Sequence, residues 1–270
     1  MKRRLMGYLI TGLVMYAALL VVVYLAQRRL QYFPSREDPR LPSANAYPGL
    51  IDVDLVASDG VKLRAWYWPG SKRATFLIFH GNAGHRGHRL PWAATLRDLG
   101  PGVFLFDYRG YGGSGGSPTE AGLLKDGEAA RAWLAENAPG PVVYVGESIG
   151  CSVAVGLAAR EAPAGLVLHN GTISVVDVAA THYPFVPVKW LMRDRFDHSE
   201  LASTVKVPAL CLHGAKDSII PIRFGRRLHA ALGGPKVWIE IPNAGHNDLL
   251  DEAANTYFQG VAAFLKSHLD

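Results

Sequence analysis

The chain opens with an uncharged apolar run from Leu5 to Ala26. At about 1.5 Å per residue such a run spans roughly 30 Å, the thickness of a bilayer core. Beyond residue 50 the pattern changes. Short β-rich runs alternate with longer helical stretches. The predicted strands are 61–68, 75–80, 102–107, 142–146, 165–169, 209–213 and 236–241. Several are apolar at every position, as in Phe76-Leu77-Ile78-Phe79 and Val103-Phe104-Leu105-Phe106. Strands of that kind belong in a sheet covered by helices on both faces. The predicted helices are 87–98, 120–137, 149–161, 221–232 and 248–268. Strand–helix alternation implies an α/β fold with a mostly parallel central sheet. Ligand sites in such sheets lie beyond the C-terminal strand ends, so the chemistry is expected in the loops that follow strands.

Between the apolar run and the first strand, Pro34, Pro39, Pro42 and Pro48 resist helix and sheet. The expected organisation is therefore a membrane anchor at 1–30, a linker or extended lead-in at 31–50, and one globular domain at 51–270. A cleaved signal peptide is the competing reading of the anchor. The apolar run is too long for it, and Tyr24-Leu25-Ala26 is a poor cleavage site. Tyr8 and Tyr24 sit where interfacial aromatics lie.

Charge sharpens the picture. The chain carries 28 basic and 23 acidic residues, a net +5 that could suggest nucleic acid. Residues 1–40 alone hold Lys2, Arg3, Arg4, Arg28, Arg29, Arg36 and Arg40 against Glu37 and Asp38. The remainder is thus neutral. The excess flanks the apolar helix and suits a membrane surface, and no nucleic-acid motif competes. Basic residues are nearly balanced across the span. A first helix so near the N-terminus often serves as a signal anchor, which would put the bulk of the chain outside the cytoplasm. Cys151 and Cys211 fall in apolar surroundings and read as small buried hydrophobes.

Gly146-Glu147-Ser148-Ile149-Gly150 matches G-x-S-x-G between a predicted strand and a predicted helix, the setting in which that motif forms a nucleophile elbow. Ser148 must occupy a tight turn, and the glycines two residues away on either side make room for it. The N-terminus of the next helix faces developing negative charge.

With this motif stand His80-Gly81-Asn82-Ala83-Gly84, Asp107-Tyr108-Arg109-Gly110-Tyr111-Gly112, His213-Gly214-Ala215-Lys216-Asp217 and Gly245-His246. On these segments, nearly all of residues 50–268 resembles the α/β-hydrolase family. The likeness is strongest to its membrane-anchored branch, which includes the Bem46-like proteins and the α/β-hydrolase-domain depalmitoylases. Cys151 departs from the pattern, since many relatives carry glycine there. The resemblance implies an α/β-hydrolase fold with a short cap and a serine hydrolase that needs no cofactor.

A serine hydroxyl needs a base, and the base an orienting acid. The chain order in this fold is Ser, acid, His. Asp217 and His246 each follow a predicted strand in that order. Asp177, Asp194, Asp197 and Asp248 are rivals for the acid, Asp248 being the expected cap of the last helix. Ile149 supplies one oxyanion N–H, and the resemblance assigns the other to Asn82, with Ala83 as the alternative. His80 and His213 read as turn-packing residues. His80, His85 and His88 lack the carboxylate or cysteine that would complete a metal set. Gly110-Tyr111-Gly112-Gly113-Ser114-Gly115 matches a dinucleotide fingerprint in letters only, because Asp107-Tyr108-Arg109 intervenes before its first glycine and Pro118 follows.

Residues 172–206 form the expected cap insertion. Its aromatic and aliphatic residues suit an apolar acyl pocket or a membrane-facing lid, with Phe185 and Trp190 as the candidate substrate contacts. The expected reaction is hydrolysis of a carboxylic ester or thioester of a small-molecule or lipid-like acyl substrate at a membrane. An aminopeptidase would need an acid for the substrate amine, and Glu147 is the one near Ser148. A non-catalytic protein on a hydrolase scaffold is the second alternative.

Overall fold

The structure is a computed structural model and describes residues 1–269. In chain order its elements are α1 (Lys2–Gln31), β1 (Phe33–Pro34), β2 (Ile51–Val56), β3 (Lys62–Trp68), β4 (Thr75–Phe79) and β5 (Ala83–Gly84). There follow α2 (Arg86–Arg97), β6 (Gly102–Phe106), α3 (Glu120–Asn137), β7 (Val142–Glu147), α4 (Ile149–Ala158) and β8 (Gly165–His169). The last are α5 (Val175–His182), α6 (Val188–Leu191), β9 (Ala209–Gly214), α7 (Ile222–Ala231), β10 (Lys236–Ile241) and α8 (Leu249–His268).

Eight strands form one sheet in the order β10-β9-β8-β7-β4-β6-β3-β2. Only β3 runs against the others, pairing antiparallel with both β2 and β6. The period of two along each strand divides the core into two layers. Leu77, Phe79, Phe104, Phe106 and Tyr144 face α3 and α4. Phe76, Ile78, Val103, Leu105, Val143 and Val145 face α2 and α8. Strands that are apolar throughout are therefore needed, because each face meets helices.

Strand β2 is absent from the sequence reading. Its Asp52 and Asp54 lower its apparent strand character, yet the alternation is that of an edge strand, with Val53 and Leu55 buried and the acids outward. Asp52 accepts from Trp66 Nε1 at 2.8 Å. The predicted helix at 149–161 ends early, at Ala158, and Pro163 lies just beyond its turn.

Residues 31–50 run along the globular part. Tyr32 and Leu50 are buried. Phe33 and Pro34 pair in parallel with Ala83 and Gly84, and the Pro48 carbonyl accepts from Trp68 Nε1 at 2.8 Å. Asp38 meets the buried Arg86 guanidinium at 2.7 Å. Helix α1 is long and apolar enough to cross a membrane, with no fully buried residue. Its last turns nevertheless touch the segment after α6: Arg28 bonds Asp194 at 2.7 and 3.2 Å.

Candidate active site

Ser148 sits between β7 and α4 with φ 54° and ψ −119°, a conformation that costs a non-glycine residue strain and that persists where the surroundings enforce it. Space enforces it here. A methyl group on Gly150 would overlap the Phe79 carbonyl oxygen and lie 2.7 Å from that of His80. One on Gly146 would lie 2.6 Å from the Cys151 Cα. Since backbone atoms cannot give way as side chains can, Gly150→Ala is expected to destabilise the fold by more than about 3 kcal/mol. Denaturant unfolding at neutral pH measures this, and a loss under about 1 kcal/mol would show that the elbow can relax.

Three loops beyond strand ends bring the sequence-selected residues together. His246 Nε2 lies 3.0 Å from Ser148 Oγ. His246 Nδ1 lies 2.7 Å from Asp217 Oδ2. The other Asp217 oxygen accepts the N–H groups of Ile219 at 2.9 Å and Ile220 at 2.7 Å. His213 Nε2 stands 3.4 Å from Asp217 Oδ2 and 2.8 Å from the Ile220 carbonyl. Burial pushes the Asp217 carboxyl up, but hydrogen bonds from His213, His246 and the Ile220 N–H outweigh it and hold the group at about 2. Burial lowers His80 to about 3 and His169 to about 4, so both are neutral near pH 7.

The rival acids are occupied elsewhere. Asp194 pairs with Arg28, Asp177 with Lys189 and Arg227, and Asp197 binds Ser199 Oγ at 2.7 Å. The expected cap from Asp248 is corrected. Its side chain makes no capping bond to α8 and accepts from Gly245 N at 2.6 Å, bracing the loop that carries His246.

Asn170, at the end of β8, was not singled out from the sequence. Its side chain donates to the carbonyls of Gly245 at 3.2 Å and His246 at 2.8 Å, and accepts from Gly214 N at 2.9 Å. It joins the histidine loop to the acid loop. The available signal was an Asn-Gly pair at a strand end; the residue adopts φ 49°, which Asn tolerates better than most.

Ile149 opens α4, so its N–H has no partner within the helix. Asn82 lines the same cavity as Ser148 and Ile149. The Asn82 carbonyl accepts from Phe33 N at 2.9 Å and Tyr111 Oη at 2.8 Å, and its side chain donates to the Gln31 carbonyl at 3.1 Å. The next turn is anchored by Arg86, whose N–H donates to Asp107 at 2.7 Å. Burial pushes Asp107 up to about 6 even with Arg86 beside it.

Glu147 is committed to structure. Its carboxylate meets Arg89 Nε at 2.9 Å and accepts from Gly81 N at 3.0 Å. Burial raises its pKa, but Arg89 more than offsets this, and the group is held at about 2. His85 and His88 stack on each other at 4.0 Å between ring centroids. Among the described residues no cluster of histidine, cysteine or carboxylate side chains could hold a metal.

The cavity at Ser148 has a volume of about 280 Å³ and mostly aliphatic walls. Val175, Val178, Val186, Val188, Leu191 and Met192 come from residues 172–206. Phe185 and Trp190 do not line it, contrary to expectation. They are 86% and 89% exposed, because α6 and the connection before it turn Val186, Val188 and Leu191 to the cavity instead. An unexpected wall comes from α1, through Val23, Tyr24, Gln27, Leu30 and Gln31.

A mostly parallel sheet between helical layers, with an elbow serine after a central strand, defines the α/β-hydrolase class. The family described as Hydrolase_4, serine aminopeptidase S33, matches residues 70–197. The Mycobacterium tuberculosis protein Rv2307c is 41% identical over 244 residues, covering 87% of this chain and 86% of that protein. Protein bem46 of Schizosaccharomyces pombe is 33% identical over 261 residues, covering 90% and 87%. The Pyrococcus furiosus esterase Pf2001 superposes with a TM-score of 0.73 at 20% identity, covering 89% of this chain and 98% of that one. The chain belongs to the Bem46-like branch of the α/β-hydrolase family and is a hydrolase.

Proposed function

We propose that the protein is a membrane-anchored serine hydrolase that cleaves carboxylic esters or thioesters of apolar acyl groups. The observation that carries this reading is the chain Ser148–His246–Asp217 opening onto an aliphatic cavity. Ser148 Oγ attacks the acyl carbonyl while His246 Nε2 takes its proton. The N–H groups of Ile149 and Asn82 bind the oxyanion. The tetrahedral intermediate collapses, and His246 protonates the departing alcohol or thiol. Water then attacks the acyl-enzyme, passing a proton to His246 and releasing the carboxylic acid and Ser148. Asp217 holds the imidazole in the tautomer this requires and stabilises its charged form. Residues 1–30 anchor the chain, and 51–270 are the catalytic domain with its cap at 172–206.

The matched family's description favours a second reading, a serine aminopeptidase. That reading needs a free acid for the substrate amine, and Glu147 is engaged by Arg89 and Gly81. The test compares kcat/KM for acyl esters, acyl thioesters and aminoacyl-anilides. Esters and thioesters are expected to turn over, with rates rising from acetyl to medium-chain acyl groups, because each buried methylene contributes about 0.8 kcal/mol. Preferential cleavage of the anilides would select the aminopeptidase.

A further inference from the structure

The α1 residues that face the cavity fall at i, i+1, i+4, i+7 and i+8 from Val23, one stripe of an α-helix. Leu25, on another side of the same turns, is 77% exposed. Polar bonds hold the stripe in place. Gln27 donates to the Leu191 carbonyl at 3.2 Å and accepts from Arg193 N at 2.7 Å. Gln31 Nε2 donates to the Asp194 carbonyl at 3.1 Å, next to the Arg28–Asp194 pair. The helix is thus clamped as a wall of the cavity.

The position of this wall along the helix is informative. Val23 and Tyr24 belong to the last turn of the uncharged run, and Arg28 and Arg29 follow at once. Further along α1, Tyr16 Oη donates to the Phe185 carbonyl at 2.7 Å. Tyr16 lies ten residues before Ala26, about 15 Å of helix rise inside the end of the run. The tip of the cap therefore reaches alongside the apolar part of the helix. The side chains it exposes there, Phe185 and Trp190, suit a bilayer rather than water.

Resting on the esterase reading above, we propose that the anchor helix is one wall of the acyl site, and that the substrate is a bilayer-resident acyl ester or thioester. Its chain passes between α1 and the cap, without crossing bulk water. Val23 and Leu30 contact the acyl chain and limit its length. Phe185 and Trp190 embed the cap tip in the leaflet. The helix then does more than raise local concentration: it shapes the specificity of the site it tethers.

The test uses the full chain in phosphatidylcholine vesicles. A long-chain alkyl fluorophosphonate with a diazirine at the tail end is reacted with the protein and irradiated. The phosphonate is expected on Ser148 and the tail crosslink on the peptide spanning 23–31. Attachment to Ser148 with crosslinks confined to the cap or to lipid overturns the proposal while leaving the nucleophile intact. Failure to attach to Ser148 overturns the underlying reading, and the proposal with it. A second measurement follows the acyl-length profile. The indole of Val23→Trp displaces several methylenes, each carrying about fourfold in affinity when buried. The ratio of long-chain to short-chain kcat/KM is expected to fall by at least about tenfold, whereas Leu25→Trp on the exposed face keeps the wild-type profile. Superimposable profiles for Val23→Trp and wild type would also overturn the proposal.

Discussion

Ser148→Ala is expected to lower kcat by about 10⁴- to 10⁶-fold and to abolish covalent labelling by a fluorophosphonate. The hydroxyl is the atom that forms the acyl bond in the proposed reaction, and among the described residues His246 Nε2 is in hydrogen-bonding contact with Ser148 Oγ. What survives is the binding and oxyanion stabilisation supplied by the rest of the site. The fold should be unaffected. The strained φ of 54° is imposed by the close approach of Gly150 to Phe79 and His80 and does not depend on the hydroxyl. Stability is therefore expected within about 1 kcal/mol of wild type. The comparison of labelling, turnover and unfolding is decisive. Labelling or full turnover retained by a folded Ser148→Ala protein would remove this serine from the mechanism.

Asp217→Asn is expected to lower kcat by about 10⁴-fold. An amide can present its NH₂ group to His246 Nδ1. That arrangement favours the tautomer with its proton on Nε2, which cannot accept from Ser148, and it removes the charge that stabilises the imidazolium. The substitution should also change acid stability, with a sign fixed by the direction of the shift. Asp217 is held at about 2 in the folded protein, against about 3.9 in an unfolded chain. A carboxylate with a depressed folded pKa contributes stability above the unfolded value and loses it as pH falls through the folded one. The contribution near neutral pH is roughly 2–3 kcal/mol. Asp217→Asn should therefore be less stable than wild type at pH 7 and show a shallower loss between about pH 4 and 2. Unfolding midpoints across that window, together with steady-state rates at pH 7, check both halves. Near-wild-type turnover by the variant would shift the acid's role to another carboxylate.

How much was legible depended on the range of the interactions involved. The G-x-S-x-G elbow is a local device: a tight turn, two small neighbours, a strand before and a helix after. All of that is written within a dozen consecutive residues, so Ser148 could be selected without coordinates. The strand segments at 165–169 and 236–241 coincide with β8 and β10 for the same reason. Strand β2 was hidden because Asp52 and Asp54 occupy its outward face, and an edge strand needs only Val53 and Leu55 turned inward. The engagement of Glu147 by Arg89 spans 58 residues, and the bonds of Asn170 to the His246 loop span about 75. Contacts of that separation leave no periodic trace along a chain.

The amino-acid sequence by itself determined the apolar span, the alternation that builds the sheet, its two-faced burial and the turn that holds Ser148. Each follows from steric and hydrophobic preferences that act over a few neighbouring residues. Tertiary structure alone decided the shape of the cavity at Ser148. Helices α5 and α6 have eight and four residues, and the connection between them, which carries Phe185 and Val186, has no regular period, so no pattern reveals that Val186 and Leu191 line the cavity while Phe185 and Trp190 stay exposed. Through most of α1 apolar residues surround the axis, and a helix that is apolar all round carries no pattern to mark its packed face. The face was chosen instead by Gln27, Arg28 and Gln31, whose polar groups find partners in the chain around Leu191, Arg193 and Asp194 only once the fold has brought those residues beside them.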